Sequence, residues 1–335
     1  MRSLTVFIPG LFGSGISFPD DFPNVPALNW FLKKGQYKSV KRSSFSYSLC
    51  ELFDLIYDDC NDLPIASISR LIDSDLYPEG IWVRVDPVYV NTDGNRLKLS
   101  DSSQFTLTQH DALEFATRIN KLLEIYNITI EVPCPSRWYV KLNEDIELRT
   151  TPIDSVVGND ILPFMPKGNN RINIDQLIND IQMTLHDLEI NTKREQENKL
   201  PINSIWFWGY GKLPSSLERN WSTVFGDEIL SEGLSAMSST PFSKLPEKFE
   251  ELDNKKSDFT DLIVISEFDR FRNFHNFDEW DEMLVRYEMN WFLPIFDALK
   301  RKDIDQIRIE TDINSISLDK NSHYKFWRQK KNFIS

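Results

Sequence analysis

One short segment limits the possible folds of this chain more than any other. Residues 200–212 have the sequence LPINSIWFWGYGK. The apolar run from Ile205 to Trp208 predicts a buried strand, and Gly209 and Gly211 predict a tight loop at its carboxyl end. Because open α/β sheets bind ligands at that edge, the segment predicts both an α/β class and the location of a site.

Composition narrows the class of protein. The chain has 335 residues, of which 41% are hydrophobic, and its formal net charge of -13 argues against nucleic-acid binding. Its three cysteines, Cys50, Cys60 and Cys134, form no CxxC pair, which is typical of reduced thiols in a cytoplasmic protein. No apolar run approaches the roughly 20 residues that a transmembrane helix needs, so we expect no contact with a membrane.

The two ends of the chain predict helices that alternate with short apolar strands. Strands are predicted at residues 4–8, 203–208, 262–266 and 307–310, and helices at residues 173–189, 226–237 and 278–301. This alternation favours a mostly parallel sheet flanked by helices. Pro9 interrupts the first apolar run, which favours a buried strand there over a signal peptide.

Residues 81–160 have a different pattern, in which alternating strands surround a single helix. Asp93 and Gly94 predict a hairpin turn, and Thr108 with Asp111 three residues later predicts the start of the helix. We therefore predict an α/β core formed by residues 1–80 and 161–335, with an inserted α+β, lid-like domain at residues 81–160.

Several segments, taken in order, resemble one known family. They are FPNVPALNWFLKKG, WVRVDPVYVNTDGNRLKLSD, LRTTPIDSVVG and LHDLEINTKREQENKLPINSIWFWGYGK. They resemble the cofactor-independent phosphoglycerate mutases, especially the archaeal type, within the alkaline-phosphatase-like superfamily. The chain resembles the RpfE-type bacterial regulatory proteins more closely still. The resemblance implies an alkaline-phosphatase-like core, and for an active mutase it implies two divalent metals and an acceptor serine.

The sequence departs from the mutases where the resemblance places their chemistry. The first strand of a mutase ends in a metal-ligating Asp followed by Gly, whereas here it ends in Ile8, Pro9 and Gly10. Ile313 stands where the mutases have a ligating His, and Ser44 is the nearest match to the acceptor serine. Paired metals hold the attacking and leaving oxygens, so the loss of ligands is expected to abolish turnover.

Two functions are consistent with these departures. The first is a degenerate, non-catalytic protein with a regulatory or binding role, no cofactor, and a small phosphorylated metabolite or a protein as its partner. The alternative is a metal-dependent phosphomutase or phosphatase with Mn²⁺ or Zn²⁺ in a rearranged site. Its candidate catalytic residues are Ser44 and Asp312, and its candidate metal ligands are Asp269, His275, Asp312 and His323.

A different enzyme class is also open. VFIPGLFGSG resembles the oxyanion-loop strand of α/β-hydrolases, and GLSAM nearly matches G-x-S-x-G, which makes Ser235 a candidate nucleophile. Asp269 and His323 follow it in the chain order of a hydrolase triad. Met237 replaces the second glycine of the motif, which argues against this esterase alternative.

A set of polar residues and glycines could bind an anion, because free backbone N–H groups beside glycines favour phosphate. These residues are His186, Asn191, Arg194, Asn203, Gly209, Gly211 and Lys212. The resemblance further implies that Arg137 and Arg149, which frame the inserted domain, contact a phosphate of the substrate, as arginines of that domain do in the mutases. The alternative is structural: Arg194 and the two asparagines would join a helix to the next strand, and His186 would hold the end of its helix.

Overall fold

The computed structural model describes residues 1–13, 23–40, 44–56, 62–168, 173–252, 258–272 and 277–322. Within these ranges the strands are β1 Arg2–Phe7, β2 Gln36–Ser39, β3 Ile81–Asp93, β4 Arg96–Ser100, β5 Ile130–Cys134, β6 Arg137–Leu142, β7 Ser204–Lys212, β8 Thr223–Phe225, β9 Phe242–Ser243, β10 Phe259–Val264, β11 Gln306–Glu310 and β12 Asn314–Asp319. The α-helices are α1 Pro26–Lys34, α2 Phe45–Leu52, α3 Ile65–Asp73, α4 Gln109–Leu123, α5 Ile153–Val156, α6 Ile174–His186, α7 Glu189–Gln196, α8 Ile229–Met237, α9 Phe277–Tyr287 and α10 Leu293–Arg301.

The chain forms two compact units, each with its own hydrophobic core. The first unit consists of Met1–Phe53 and Leu217–Ser335, and the second unit consists of Asp54–Ser216. The insertion predicted at residues 81–160 stays a prediction, and all of its residues belong to the second unit. The second unit is larger because β7 pairs with β3 and because α3 packs against both strands.

The first unit contains a mostly parallel sheet with the strand order β2-β12-β11-β1-β10-β8-β9. The strands from β11 to β9 in this order run parallel to one another. β12 pairs antiparallel with β11, and β2 pairs antiparallel with β12. β1 is buried along nearly its whole length, as expected for a central strand covered on both faces. The carboxyl ends of β1, β8, β10 and β11 therefore meet at one edge. The predicted α/β class, with a mostly parallel central sheet flanked by helices, is confirmed.

A π-helical turn interrupts the helix predicted at residues 278–301. The structure contains α9, a π-helical turn at Glu288–Phe292, and then α10. Pro294 near the start of α10 has no N–H, so it cannot continue the α-helical hydrogen-bond ladder, which accounts for the wider turn. The Glu288 carboxylate accepts hydrogen bonds from the backbone N–H groups of Ala27 at 2.6 Å and Leu28 at 3.1 Å, and so satisfies the start of α1.

The second unit contains an antiparallel sheet built around β3. β7 pairs with one side of this long strand, and β6 and β4 pair with β3 as well. The segment LPINSIWFWGYGK thus forms a buried strand, as predicted. The prediction that it ends at the ligand-binding edge of a parallel sheet is wrong, because its partner is antiparallel and belongs to the second unit.

Two further observations concern the cysteines and the helices. Cys50 and Cys134 are free thiols, and Cys60 lies outside the described residues. Among the helices that the structure describes, none is both long and apolar enough to cross a membrane.

Candidate functional site

The edge where β1, β10 and β11 end is the place at which a parallel sheet would carry a site. Gly10 follows β1 with φ at +73°, and its N–H donates a hydrogen bond of 2.7 Å to Asp312 Oδ2, which follows β11. A Cβ atom at Gly10 would lie 2.1 Å from the carbonyl oxygen of Phe268, which follows β10. The loop after β1 is therefore packed against the backbone of the loop after β10 and bonded to the Asp312 side chain, and only glycine fits at residue 10.

Ser44, the candidate phosphoryl acceptor, is fully buried at the start of α2. Its Oγ accepts a hydrogen bond of 3.2 Å from the backbone N–H of Tyr47, so the hydroxyl is the N-cap of the helix. Ile313, which stands in the place of a ligating His, has 53% of its surface exposed. The geometry thus gives Ser44 a structural role. Ile313 has no side-chain atom that could bind a metal ion.

Replacing Ser44 with Ala is expected to lower the free energy of unfolding of the first unit by about 1 kcal/mol, which is typical for the loss of a serine N-cap. Native-state hydrogen exchange of the α2 amides measures this change. Ser46→Ala in the same helix is the matched control for the loss of a hydroxyl. A Ser44→Ala protein with unchanged exchange in α2 would contradict the cap.

Other carboxylates at this edge have internal partners. The hydroxyl of Ser315 donates to Glu310 Oε1 at 2.8 Å, and the hydroxyl of Ser266 donates to Glu228 Oε1 at 2.7 Å. Asp269 begins a short 3₁₀ helix after β10. His275 and His323 lie outside the described residues. In the part of the chain that the structure describes, no group of three or more His, Cys, Asp or Glu residues could hold a metal ion.

Arg137, in the second unit, is held by a carboxylate that the sequence analysis did not single out. Its Nε and Nη2 donate to Asp73 Oδ2 at 2.7 Å and Oδ1 at 2.6 Å, and the Tyr139 hydroxyl donates to the same carboxylate at 2.6 Å. Asp73 lies 64 residues earlier in the chain, at the end of α3, so no local pattern could indicate this pair. The predicted phosphate-binding position of Arg137 is therefore filled by an internal anion.

Three further candidates bind backbone groups. Asn191 Nδ2 donates to the carbonyls of Leu185 and Ile202, and its Oδ1 accepts from the Ile202 N–H. Arg194 donates to the carbonyls of residues 200 and 106. Asn203 pairs with both the N–H and the carbonyl of residue 90. These contacts favour the structural alternative, in which the three side chains join α7 and β3 to the segment before β7.

The remaining candidate residues for anion binding do not all lie around one common site. Gly209 has φ at +67° and passes close to the backbone of α3, where a Cβ atom would lie 2.9 Å from the N atom of residue 66. Gly211 accepts a hydrogen bond from Ser67, and Lys212 is the exposed last residue of β7. His186 ends α6 and lines an open cavity together with Asn203. The structure thus brings His186 and Asn203 together.

Arg149 pairs through its backbone with Lys167, and its charge acts on a neighbouring half-buried carboxyl group. Burial raises the pKa of Asp62 to about 6, although hydrogen bonds from Thr150 and the charge of Arg149 lower it. An unfolded Asp has a pKa of about 3.9, so between about pH 4 and pH 6 the folded state binds more protons than the unfolded state.

The free energy of unfolding of the second unit is therefore expected to fall as the pH rises from about 4 to about 6, and to stay flat above that range. Asp62→Asn removes the titration and should remove this slope. Urea unfolding at several pH values, with Asp160→Asn as the matched control, measures it. The same slope in wild type and Asp62→Asn would assign the pH dependence to other groups.

Ser235 lies inside α8 rather than on a turn between a strand and a helix. It is fully buried, and its hydroxyl donates to the Ser231 carbonyl at 2.6 Å, one helical turn earlier. A hydrolase nucleophile needs an exposed hydroxyl on a strand-to-helix turn. The prediction of Ser235 as a nucleophile is therefore wrong.

Part of the chain is similar in sequence to known proteins. No protein-family profile matches it. A segment of 67 residues is 36% identical to a probable 2,3-bisphosphoglycerate-independent phosphoglycerate mutase of Geobacter sulfurreducens, and covers 20% of this chain and 17% of that protein. A segment of 72 residues is 35% identical to the 2,3-bisphosphoglycerate-independent phosphoglycerate mutase of Methanosarcina mazei, and covers 22% of this chain and 18% of that protein.

This segment relates the chain to cofactor-independent phosphoglycerate mutases. The match spans less than a fifth of the length of either relative. Among solved structures, the PH0037 protein from Pyrococcus horikoshii has a TM-score of 0.50 at 12% identity, over 95% of this chain and 87% of that one. The cofactor-independent phosphoglycerate mutase from Thermoplasma acidophilum has a TM-score of 0.43 at 14% identity, over 95% and 90%. The likeness to the PH0037 protein is one of fold.

Proposed function

We propose that this chain is a phosphoglycerate-mutase-like protein that does not catalyse phosphoryl transfer and that has a regulatory or binding role. The observation that carries the proposal is the contact between the Gly10 N–H and the Asp312 carboxylate. A mutase would present metal ligands from these two loops. Here one loop offers Pro9 and Gly10, and the carboxylate of the other is hydrogen-bonded to the backbone of the first.

The residues that the structure describes at this edge do not fit the paired metals that the resemblance implies. Pro9 has no side-chain donor atom, Ile313 is apolar, and the carbonyl of Phe268 fills the space in which a side chain of residue 10 would lie. Two-metal catalysis depends on ions held at fixed positions by several ligands. We therefore derive no catalytic step through metals at this edge.

Ser44 supports the same conclusion from the side of the nucleophile. An activated serine needs a hydroxyl that can reach the substrate and a neighbouring group that takes its proton. The Ser44 hydroxyl is buried and accepts a hydrogen bond from a backbone N–H. A small phosphorylated metabolite or a protein remains the proposed partner, in a binding role.

The test combines turnover with binding. The purified full chain is assayed with 3-phosphoglycerate and with p-nitrophenyl phosphate, each with added Mn²⁺ or Zn²⁺, and its metal content is measured by mass spectrometry. We expect no turnover above the metal-only background. Turnover that is lost in both Ser44→Ala and Asp312→Asn, with two equivalents of metal bound, would establish the phosphomutase or phosphatase alternative instead. A rise in melting temperature with 3-phosphoglycerate, without turnover, would support a binding role.

A further inference from the structure

A cavity of about 400 Å³ lies in the first unit, beside the carboxyl ends of β8 and β10. Its walls come from the loops after β8, β9 and β10, from the end of α9, and from the π-helical turn. The lining residues used below are Asp227, Glu247, Glu267, Arg286, Asn290 and Trp291. The volume lies within the range of small-molecule pockets, and none of the predicted site residues that the structure describes lines this cavity.

Trp291 supplies an unused hydrogen-bond donor to this cavity. Only 2% of its surface is exposed and its indole N–H has no acceptor among the described residues, yet the nitrogen is not one of the fully buried polar atoms that lack a partner, so it is accessible. Buried indole N–H groups usually find a partner. The six other buried tryptophans of the described chain each donate such a bond, namely Trp82, Trp138, Trp206, Trp208, Trp221 and Trp280. Trp291 therefore stands apart as a donor available to a ligand.

The π-helical turn explains why this donor lines the cavity. It widens the helix at Glu288–Phe292 and places Asn290 and Trp291 side by side in one wall. Such turns occur frequently at functional sites. Neither the Asn290 amide nor the Trp291 indole has a hydrogen-bond partner in the described ranges. One wall of the cavity thus carries two polar groups that are free to bind.

The charges around the cavity favour a cation. Three carboxylates and one guanidinium line it, and Arg286 is already paired with Glu267. Asp227 and Glu247 are exposed and have neither a hydrogen-bond nor an ion-pair partner within the described part of the chain. Two carboxylates therefore remain to neutralise a ligand, and a phosphorylated acid would be repelled.

We propose that this cavity binds an organic cation that carries a hydrogen-bond acceptor close to its charge, such as the guanidinium and backbone carbonyl of an arginine residue. The cation lies between Asp227 and Glu247, and the carbonyl accepts from the Trp291 N–H. The same chemistry could come from a peptide or from a free small molecule. The cavity lies along the same edge of the sheet but is lined by other residues than Gly10, Ser44 and Asp312, so the proposal stands whether or not those residues are catalytic.

Isothermal titration calorimetry of the full chain at low salt tests the proposal. The probes are Nα-acetyl-arginine methylamide, its uncharged citrulline counterpart, and agmatine, which has the guanidinium but no carbonyl. We expect the arginine probe to bind, agmatine to bind about tenfold more weakly, and the citrulline probe not to bind. Equal binding of the arginine and citrulline probes, or no binding of the arginine probe, would overturn the proposal. Agmatine that binds as tightly as the arginine probe would contradict the role of the acceptor.

Substitutions of the lining residues test whether the arginine probe binds in this cavity. Asp227→Asn should weaken the arginine probe about tenfold, because a charge-assisted hydrogen bond is lost at an exposed position where the fold is little affected. Glu282→Gln on α9 is exposed, makes the same charge change outside the cavity, and should leave binding unchanged. Trp291→Phe keeps an aromatic ring but removes the N–H, and should weaken the arginine probe while leaving agmatine unaffected. Equal loss in Asp227→Asn and Glu282→Gln would show that only net charge matters, which would overturn the site.

Discussion

Replacing Asp86 with Ala is expected to destabilise the second unit by about 4 kcal/mol. Asp86 is 3% exposed and accepts four hydrogen bonds, from Arg84 Nε and Nη2, from Trp208 Nε1 at 2.8 Å, and from the Trp138 N–H at 3.1 Å. Its main partner, Arg84, is only 7% exposed and stacks over the Trp208 ring at 4.3 Å. The variant would leave a buried guanidinium without its counter-ion, which explains the size of the effect.

The free energy of unfolding, obtained from native-state hydrogen exchange of the β3 amides, measures this loss. The double variant Arg84→Met, Asp86→Leu removes both charges and should be more stable than Asp86→Ala alone. Asp93→Ala breaks an exposed ion pair with Lys98 near the end of the same strand and should change stability by less than about 1 kcal/mol. If Asp86→Ala behaves like Asp93→Ala, the buried pair does not stabilise this unit.

The second large effect is expected from Glu288→Ala, at about 3 kcal/mol in the first unit. The Glu288 side chain is 2% exposed, and its carboxylate accepts the two N–H groups at the start of α1. Removing it leaves two buried donors without acceptors, and each such donor costs about 1–3 kcal/mol. Val25, the N-cap residue of α1, provides no side-chain cap in its place.

Hydrogen exchange of the first-turn amides of α1 gives the most direct measurement, because these are the groups that lose their acceptor. Glu282→Ala, on the exposed face of α9, is the matched control and should stay within about 0.5 kcal/mol of wild type. Glu288→Gln keeps one acceptor oxygen and should fall between the two. Unchanged protection of α1 in Glu288→Ala would show that another group caps this helix.

Local sequence signals predicted local structure well. Pro26 begins α1 and Gly35 follows its end, as their preferences for these positions indicate. Thr108 caps α4 by accepting from the Asp111 N–H at 3.1 Å. Each of these features depends on residues within a few positions of one another. They are therefore visible in the order of amino acids alone.

The features that the sequence did not predict depend on residues that are distant from one another in the chain. β7 was predicted to be a strand, but only its pairing with β3 decides that it is antiparallel and belongs to the second unit. The pair of Arg137 with Asp73 and the cap of α1 by Glu288 also join segments far apart. The cavity beside Trp291 has no sequence motif, because it depends on loops that meet only in the folded first unit.

The position of β1 has a consequence for synthesis of the chain on the ribosome. β1 lies between β10 and β11, which are made more than 250 residues later, whereas the strands of the second unit all come from one continuous stretch. The second unit can therefore fold while translation continues. β1, an apolar strand with both edges unpaired, must wait for β10 and β11. During that interval it is a natural target for chaperones and the segment most exposed to aggregation.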